Sequence, residues 1–303
     1  MARNRYELAA VGEGQAPRKG GRRCGVCPVW VWILLILVVL LLIGAGIASY
    51  FVRKLVIERS IYPARTDRLY VGGEGITEGD MLGVNTTESD HVAKDSQLLW
   101  PLARIPYRLD DRLGCPDSPR CEVLMEAIEE FNNSTCLLWE PAKDSDKYAV
   151  SIQLKRHGGC YSSVGYQGST GADQLIVLGE GCFNIGIILH EMGHTVGFWH
   201  EHNRPDRDQW LKIDLENADG AENFDAYDRS RHPVTDSLDF KSVMMLGTDA
   251  FSAGNGSTMS SHWPDVPVPQ LTNKTMLSDK DINRVRYLYG EQCRKRMQSS
   301  AGL

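Results

Sequence analysis

His190 and His194 stand four residues apart, and His200 follows six residues later, within the string HEMGHTVGFWHEHNRPDRD that runs from His190 to Asp208. On a helix, a spacing of four puts the first two imidazoles on one face, one turn apart. A straight helix would carry His200 too far along its axis to meet the same ion as His190. Gly197 lies between His194 and His200, three residues from each. Glycine takes positive φ readily, so the helix can stop there and the chain can turn back. Three neutral imidazoles then converge on one Zn²⁺ and leave a position for water, which is the layout of a catalytic rather than a structural site. Zinc lowers the pKa of such a water toward about 7. Glu191, beside the first ligand, is placed to take its proton and pass it to a leaving amine. His202, two residues past the third ligand, reads as a neighbour of the site or a solvent-facing side chain, not a fourth ligand.

The elements that hold these residues are legible in outline. The stretch GCFNIGIILHEMGHTVG reads as a buried helix carrying the first two ligands. Before it, Ile105 to Leu109 reads as a strand. From Glu122 to Phe131 the apolar residues Val123, Leu124, Ala127, Ile128 and Phe131 recur at helical spacing. Tyr148, Val150, Ile152 and Leu154 alternate as a half-buried strand does, and Gly171 to Gly179 holds another short strand. After Gly197 the chain is mostly irregular until a last helix, expected from Ser278 to Tyr289. Ser278 can cap that helix, with Asp281 three residues on. Strands and a helix come before the turn, and irregular chain with a final helix after it, so the fold expected is α+β.

The chain has 303 residues, 42% hydrophobic content and a formal charge of −6. No basic stripe interleaved with aromatics appears, so nucleic acid is not an expected partner. Val29 to Val52 is a run of 24 residues without a charge. At about 1.5 Å per residue it spans the ~30 Å hydrocarbon core of a bilayer with some tilt. Trp30, Trp32, Tyr50 and Phe51 sit near its ends, where amphipathic rings favour the interface. The run exceeds the usual signal-peptide core, and a long polar head precedes it, so a retained signal anchor is expected. Basic residues flank both ends and leave the orientation undecided from charge. Residues 1–28 read as a disordered cytoplasmic tail, 29–52 as the anchor and 53–94 as a stalk and pro-segment. The catalytic domain is expected over 95–293, followed by a short tail over 294–303. Cys24 and Cys27 form a CGVC against the membrane, either two free thiols or a palmitoylation site.

Of the eight cysteines, six follow the apolar run, and six allow fifteen pairings. Sequons at Asn85, Asn132, Asn133, Asn255 and Asn273 also all follow it. Their one-sidedness agrees with a cytoplasmic N-terminus and an extracellular or lumenal C-terminal part, a single-pass type II membrane protein.

The chain from Trp100 to Cys293 resembles an astacin, a zinc metallopeptidase of the metzincin clan, whose HExxHxxGxxH signature it carries. HEHNRPDRD resembles the family's extension after the third histidine, and WPLARIPY the start of its mature domain. LSDKDINRVRYLYGEQC resembles its final helix and closing cysteine. SVMML stands in the place of the Met-turn, and EGDM in the place of the pro-segment's aspartate switch. The resemblance implies two lobes about a cleft with zinc at its floor. It further implies an endopeptidase acting on protein or peptide substrates, one zinc per catalytic domain, and a zymogen that another protease activates. Lys94-Asp95 is a candidate cut, chosen by its distance from Trp100.

Residue by residue, the resemblance pairs Cys136 with Cys293 and Cys160 with Cys182, and leaves Cys115 and Cys121 to each other. Met244 matches the methionine that floors the ligands without binding metal. Glu201 matches the glutamate that pairs with the new N-terminus after activation. Asp80 matches the aspartate that takes the water's place in the zymogen, although Thr77 stands where an aromatic usually precedes the EGD. One departure is larger: Met245 and Leu246 replace the usual His-Tyr, and leucine has no donor for a developing oxyanion. Losing one such donor typically costs about 3 kcal/mol, a hundredfold or more in rate. Two readings follow: a membrane-anchored zinc endopeptidase, or a low-turnover binding or adhesion protein on the same scaffold. Restoring tyrosine at 246 is expected to raise kcat on the first reading.

Overall fold

The computed structural model describes residues 29–60, 75–84, 99–156, 158–168, 171–229, 236–254 and 256–301. The CGVC pair, the Lys94-Asp95 position and the sequons at Asn85 and Asn255 lie outside the described residues. Helix α1 spans Val29–Ser60, eight residues beyond the expected anchor. Its large apolar side chains from Ile33 to Ile47 that are described are 51–72% exposed. Among the described residues no helix is long and apolar enough to cross a membrane.

The remainder from Leu55 on forms one compact unit. Its main sheet has seven strands in the order β1-β2-β6-β7-β5-β3-β4. These are β1 Ile76–Thr77, β2 Met81–Leu82, β3 Arg104–Leu109, β4 Leu138–Pro141, β5 Val150–Lys155, β6 Tyr161–Ser163 and β7 Gln174–Gly179. Strands β4, β3, β5 and β7 run parallel, and β6 is antiparallel to β7. Strand β2 adds in parallel to β6, pairing Met81 with Ser162, and β1 closes a hairpin on β2. Val150, Ile152 and Leu154 are buried in alternation as expected, whereas Tyr148 precedes the strand and is half-buried. In β7 nearly every side chain is buried, as in a central strand covered on both faces.

Helix α2 spans Pro119–Ser134. It starts three residues before the expected Glu122, because the Ser118 side chain accepts the Cys121 N–H and Pro119 occupies the first turn, where its missing donor costs nothing. Leu124, Ala127, Ile128 and Phe131 form its buried face. Helix α3, Ile185–Thr195, is capped by Asn184, whose side chain accepts the Gly186 N–H at 2.9 Å.

After Gly197 come short turns, a two-stranded sheet of β8 Leu211–Ile213 and β9 Met259–Ser261, and helix α4. Helix α4 runs from Asp279 to Ala301, so it neither ends at Tyr289 nor gives way to a tail after Cys293. Arg296 anchors its last turns by donating to the carbonyls of Ala103 and Cys136. Ser278 and Asp281 exchange a reciprocal capping pair at its start, at 3.0 and 3.1 Å.

All three disulfides form as the resemblance implied: Cys115–Cys121, Cys136–Cys293 and Cys160–Cys182. The second closes 157 residues and ties α4 to the end of α2. Asn133 and Asn273 are exposed, whereas Asn132 bonds the backbone of Trp139 through both ends of its amide.

Candidate active site

Helix α3 carries His190, Glu191 and His194, all buried. Its end is a Schellman turn: Gly197 N–H donates to His194 O at 2.8 Å and Phe198 N–H to Gly193 O at 2.9 Å, with Gly197 at φ +98°. The reversal brings His200 back beside the first two ligands, with ring centroids 5.2 Å from His190 and 4.9 Å from His194. Gly193, one turn below, has a separate function. A Cβ there would lie 2.5 Å from the Met244 sulfur, so the bare backbone lets the methionine pack directly beneath the ligand helix.

The Met-turn is held from α4. Asp281 accepts from Ser242 Oγ at 2.6 Å and from Val243 N at 3.0 Å. Lys274 Nζ donates to Ser242 O at 2.7 Å and to Met245 O. Burial brings this ammonium down to about 8, against the opposing charge of Asp281. The turn so fixed offers Val243 O to His190 Nδ1 at 2.8 Å. His194 Nδ1 donates to Phe198 O at 2.9 Å. A carbonyl only accepts, so both Nδ1 atoms carry a proton, and in the neutral imidazole that leaves Nε2 a bare lone pair for a metal. Those two Nε2 atoms are 3.0 Å apart. The carboxylate of Asp80 lies 3.1 Å from Nε2 of His190, 3.5 Å from that of His194 and 3.1 Å from that of His200.

Two converging lone pairs and a buried carboxylate call for positive charge between them. Asp80 Oδ1, His200 Nε2 and Glu191 Oε2 are buried without a hydrogen-bond partner, as donor atoms facing a metal would be. Titration points the same way. Burial and the neighbouring His194 take the His190 imidazole down to about 4, so it is neutral. Burial would lower His200 too, yet Asp80 and Glu78 carry it up to about 10. The site calls for positive charge, which a divalent ion supplies. Burial pushes the Asp80 carboxyl up, but the positive charge of His200 and the histidines around it prevail and hold it well below the usual range. Glu191 goes the other way, raised by burial and by the charge of Asp80. The three histidines and Asp80 together form a metal-holding cluster, and the chemistry of the donor set fits zinc.

Other expected residues fall as follows. His202 is fully buried and off the cluster's centre; its Nε2 donates to Asn223 O at 3.2 Å and its ring lies 5.1 Å from His200. Met244 is buried under α3. Glu201, expected to pair with a new N-terminus, here has both oxygens taken. Arg284 donates at 2.8 and 2.9 Å, Arg204 at 3.0 Å and Asp239 N–H at 2.7 Å. Leu246 and Met245 are both 0% exposed and belong to the hydrophobic core. The leucine is therefore a packing residue in this form of the chain. Leu246→Tyr should overpack that core and lower stability by about 1–3 kcal/mol, read as a fall in the thermal midpoint. An unchanged midpoint would show room for the ring.

Two residues at the site carry no signal in the sequence. Glu78 accepts from His200 Nδ1 at 2.7 Å, and Tyr227 donates to the same oxygen, Oε2, at 2.6 Å. Glu78 belongs to the EGD triplet, in which only the aspartate suggests a chemical function. Tyr227 stands in no motif.

A buried three-histidine centre with a glutamate on the ligand helix defines the class: a zinc-dependent hydrolase. The sequence profile of the Astacin peptidase family matches residues 92–290. An astacin-like metalloprotease toxin of Loxosceles intermedia is 36% identical over 226 residues, covering 72% of this chain and 82% of that one. The zinc metalloproteinase nas-13 of Caenorhabditis elegans is 32% identical over 203 residues, covering 66% of this chain but 42% of its own length. High choriolytic enzyme 1, a hatching-enzyme zinc protease of Oryzias latipes, superposes with a TM-score of 0.53 at 30% identity, covering 64% of this chain and 92% of that one. The chain belongs to the astacin family and is a zinc metalloendopeptidase with protein substrates.

Proposed function

We propose that this chain is made as a latent, membrane-anchored endopeptidase whose Glu191 is the general base and whose Asp80 holds it inactive. The observation that carries the proposal is the position of the Asp80 carboxylate, 3.1–3.5 Å from all three ligand nitrogens. When bound, zinc polarises a substrate carbonyl and lowers the pKa of a water. Glu191 takes the proton from the attacking water and delivers it to the departing amine nitrogen. Its burial beside the ligands keeps bulk water from competing for that proton. The Met-turn and Phe198 carbonyls keep two ligands in the tautomer that points Nε2 inward.

The same hairpin blocks the site a second way. Asp80 O accepts from Ser162 N at 2.8 Å, and β2 lies along β6. An extended substrate adding to this sheet edge would meet β2 already in place. Activation therefore requires a cut between Gly83 and Trp100 by another protease. Three disulfides put the domain in an oxidising, extracellular or lumenal compartment. The anchor rests on the charge-free run of α1 and on its exposed apolar side chains, since a helix apolar all round needs an apolar surrounding. Glycans are proposed at Asn133 and Asn273, the exposed sequons among the described residues.

The test is Asp80→Ala in the untrimmed chain. It should turn over a quenched peptide at least tenfold faster than the untrimmed parent, yet stay below the trimmed enzyme, because β2 still occupies the sheet edge. Equal low activity in both would leave the β2 strand as the only block and end the switch reading.

A further inference from the structure

The three ligands are not held alike. His190 and His194 donate their Nδ1 protons to carbonyls of the catalytic domain, from Val243 and Phe198. His200 donates to Glu78, a residue of the hairpin that activation would remove. The carboxylate of Glu78 is buried, with 6% of its side chain exposed, and Oε2 takes a second hydrogen bond from Tyr227 at 2.6 Å. The Tyr227 oxygen in turn accepts the backbone N–H of His200 at 3.2 Å. Ring, main chain, phenol and carboxylate thus form one closed set around the third ligand. Asp80 lies at Nε2 of that imidazole and Glu78 at Nδ1, two residues apart in sequence and on opposite edges of one ring.

The backbone at Glu78 supports a selected side chain. Its φ is +50° in the turn between β1 and β2, next to Gly79 at φ +80°. Glycine or asparagine suits such a position, and a longer L-residue is sterically disfavoured there. A glutamate kept at that cost is explained by what its carboxylate holds. Glu78, His200 and His202 also stand close enough to share a cation. Yet His200 already directs Nε2 at the first metal, and a second ion on Nδ1 would need that proton removed. The hydrogen-bonded arrangement needs no such loss.

We propose that Glu78 is a second latch of the pro-segment, gripping His200 and Tyr227 and acting separately from the Asp80 contact. The proposal rests on the latency reading above. In the untrimmed chain it makes His200 the ligand whose outer partner belongs to the inhibitory segment. The metal and the segment therefore hold each other in place, and loosening Glu78 loosens both.

The experiment uses the full-length, zinc-loaded chain and compares parent, Glu78→Asn and Asp80→Ala. Asparagine suits the left-handed turn but is too short to keep the two contacts. The readout is the rate at which zinc passes to a chromogenic chelator, measured before and after trimming, with quenched-peptide turnover alongside. Glu78→Asn should release zinc about tenfold faster than the parent while untrimmed, as expected for losing a buried, charge-assisted pair of hydrogen bonds. After trimming the two are the same molecule, and their rates should coincide. Glu78→Gln, which keeps length and removes charge, should release zinc several-fold faster. It serves as the test if the asparagine variant does not fold. Parent-like release in the Glu78 variants beside fast release in Asp80→Ala overturns the latch and leaves the latency reading intact. Parent-like release in all of them overturns both.

Discussion

Glu191→Gln should lower kcat by about a hundredfold to ten-thousandfold in the trimmed enzyme, the range that a positioned acid–base group contributes. KM should hardly move, because glutamine fills the same volume and binds no differently in the ground state. Glu191 is 1% exposed and its Oε2 has no hydrogen-bond partner among the described residues, so the amide loses no contact at that oxygen. Zinc content should stay at one per chain, which separates this loss from loss of the metal. Steady-state kinetics on one quenched peptide, with metal analysis of the same samples, makes the comparison. Retained kcat would place the base elsewhere, and lost zinc would give Glu191 a structural function instead.

His194→Ala should remove zinc and turnover together. The replaced imidazole supplies one of three Nε2 donors, and the remaining two would face Asp80 across a gap. Loss of an outer partner typically costs about ten- to a hundredfold in metal affinity, so loss of a ligand itself should exceed that. The fold should also suffer, since a buried carboxylate and two imidazoles would remain without the ion that neutralises them. The expected result is substoichiometric zinc after dialysis, no measurable peptide cleavage and a lower thermal midpoint. Chelator treatment of the parent should reproduce the midpoint shift. Unchanged zinc in the variant would remove His194 from the ligand set.

Much of the scaffold follows from local rules. Helical spacing places Leu124, Ala127, Ile128 and Phe131 on one buried face of α2, and period-two alternation places Val150, Ile152 and Leu154 inside the sheet. Element boundaries depend on more than periodicity. Helix α2 begins before its apolar pattern because Ser118 and Pro119 supply a start signal ahead of it. Helix α4 runs on to Ala301 because Arg296 bonds to carbonyls of Ala103 and Cys136, a tertiary tie without a local sequence signal. By family pattern alone Leu246 reads as a hole in the catalytic apparatus, whereas packing puts it in the core.

The ligand set is a local property of the chain. A spacing of four on a helix is rigid geometry, and a glycine at the next turn is nearly the only residue that reverses the chain there, so His190, His194 and His200 meet without help from distant residues. What holds them is a matter of tertiary structure. Val243 is 53 residues from His190, Glu78 is 122 from His200 and 149 from Tyr227, and Asp281 is 38 from Val243. Two of these contacts use backbone groups of the Met-turn, which leave no mark on sequence because nearly every residue type carries them. The contacts of Glu78 use a side chain that is ordinary on a surface. It becomes specific only when β1 and β2 dock on the edge of the sheet and carry it beside the third ligand.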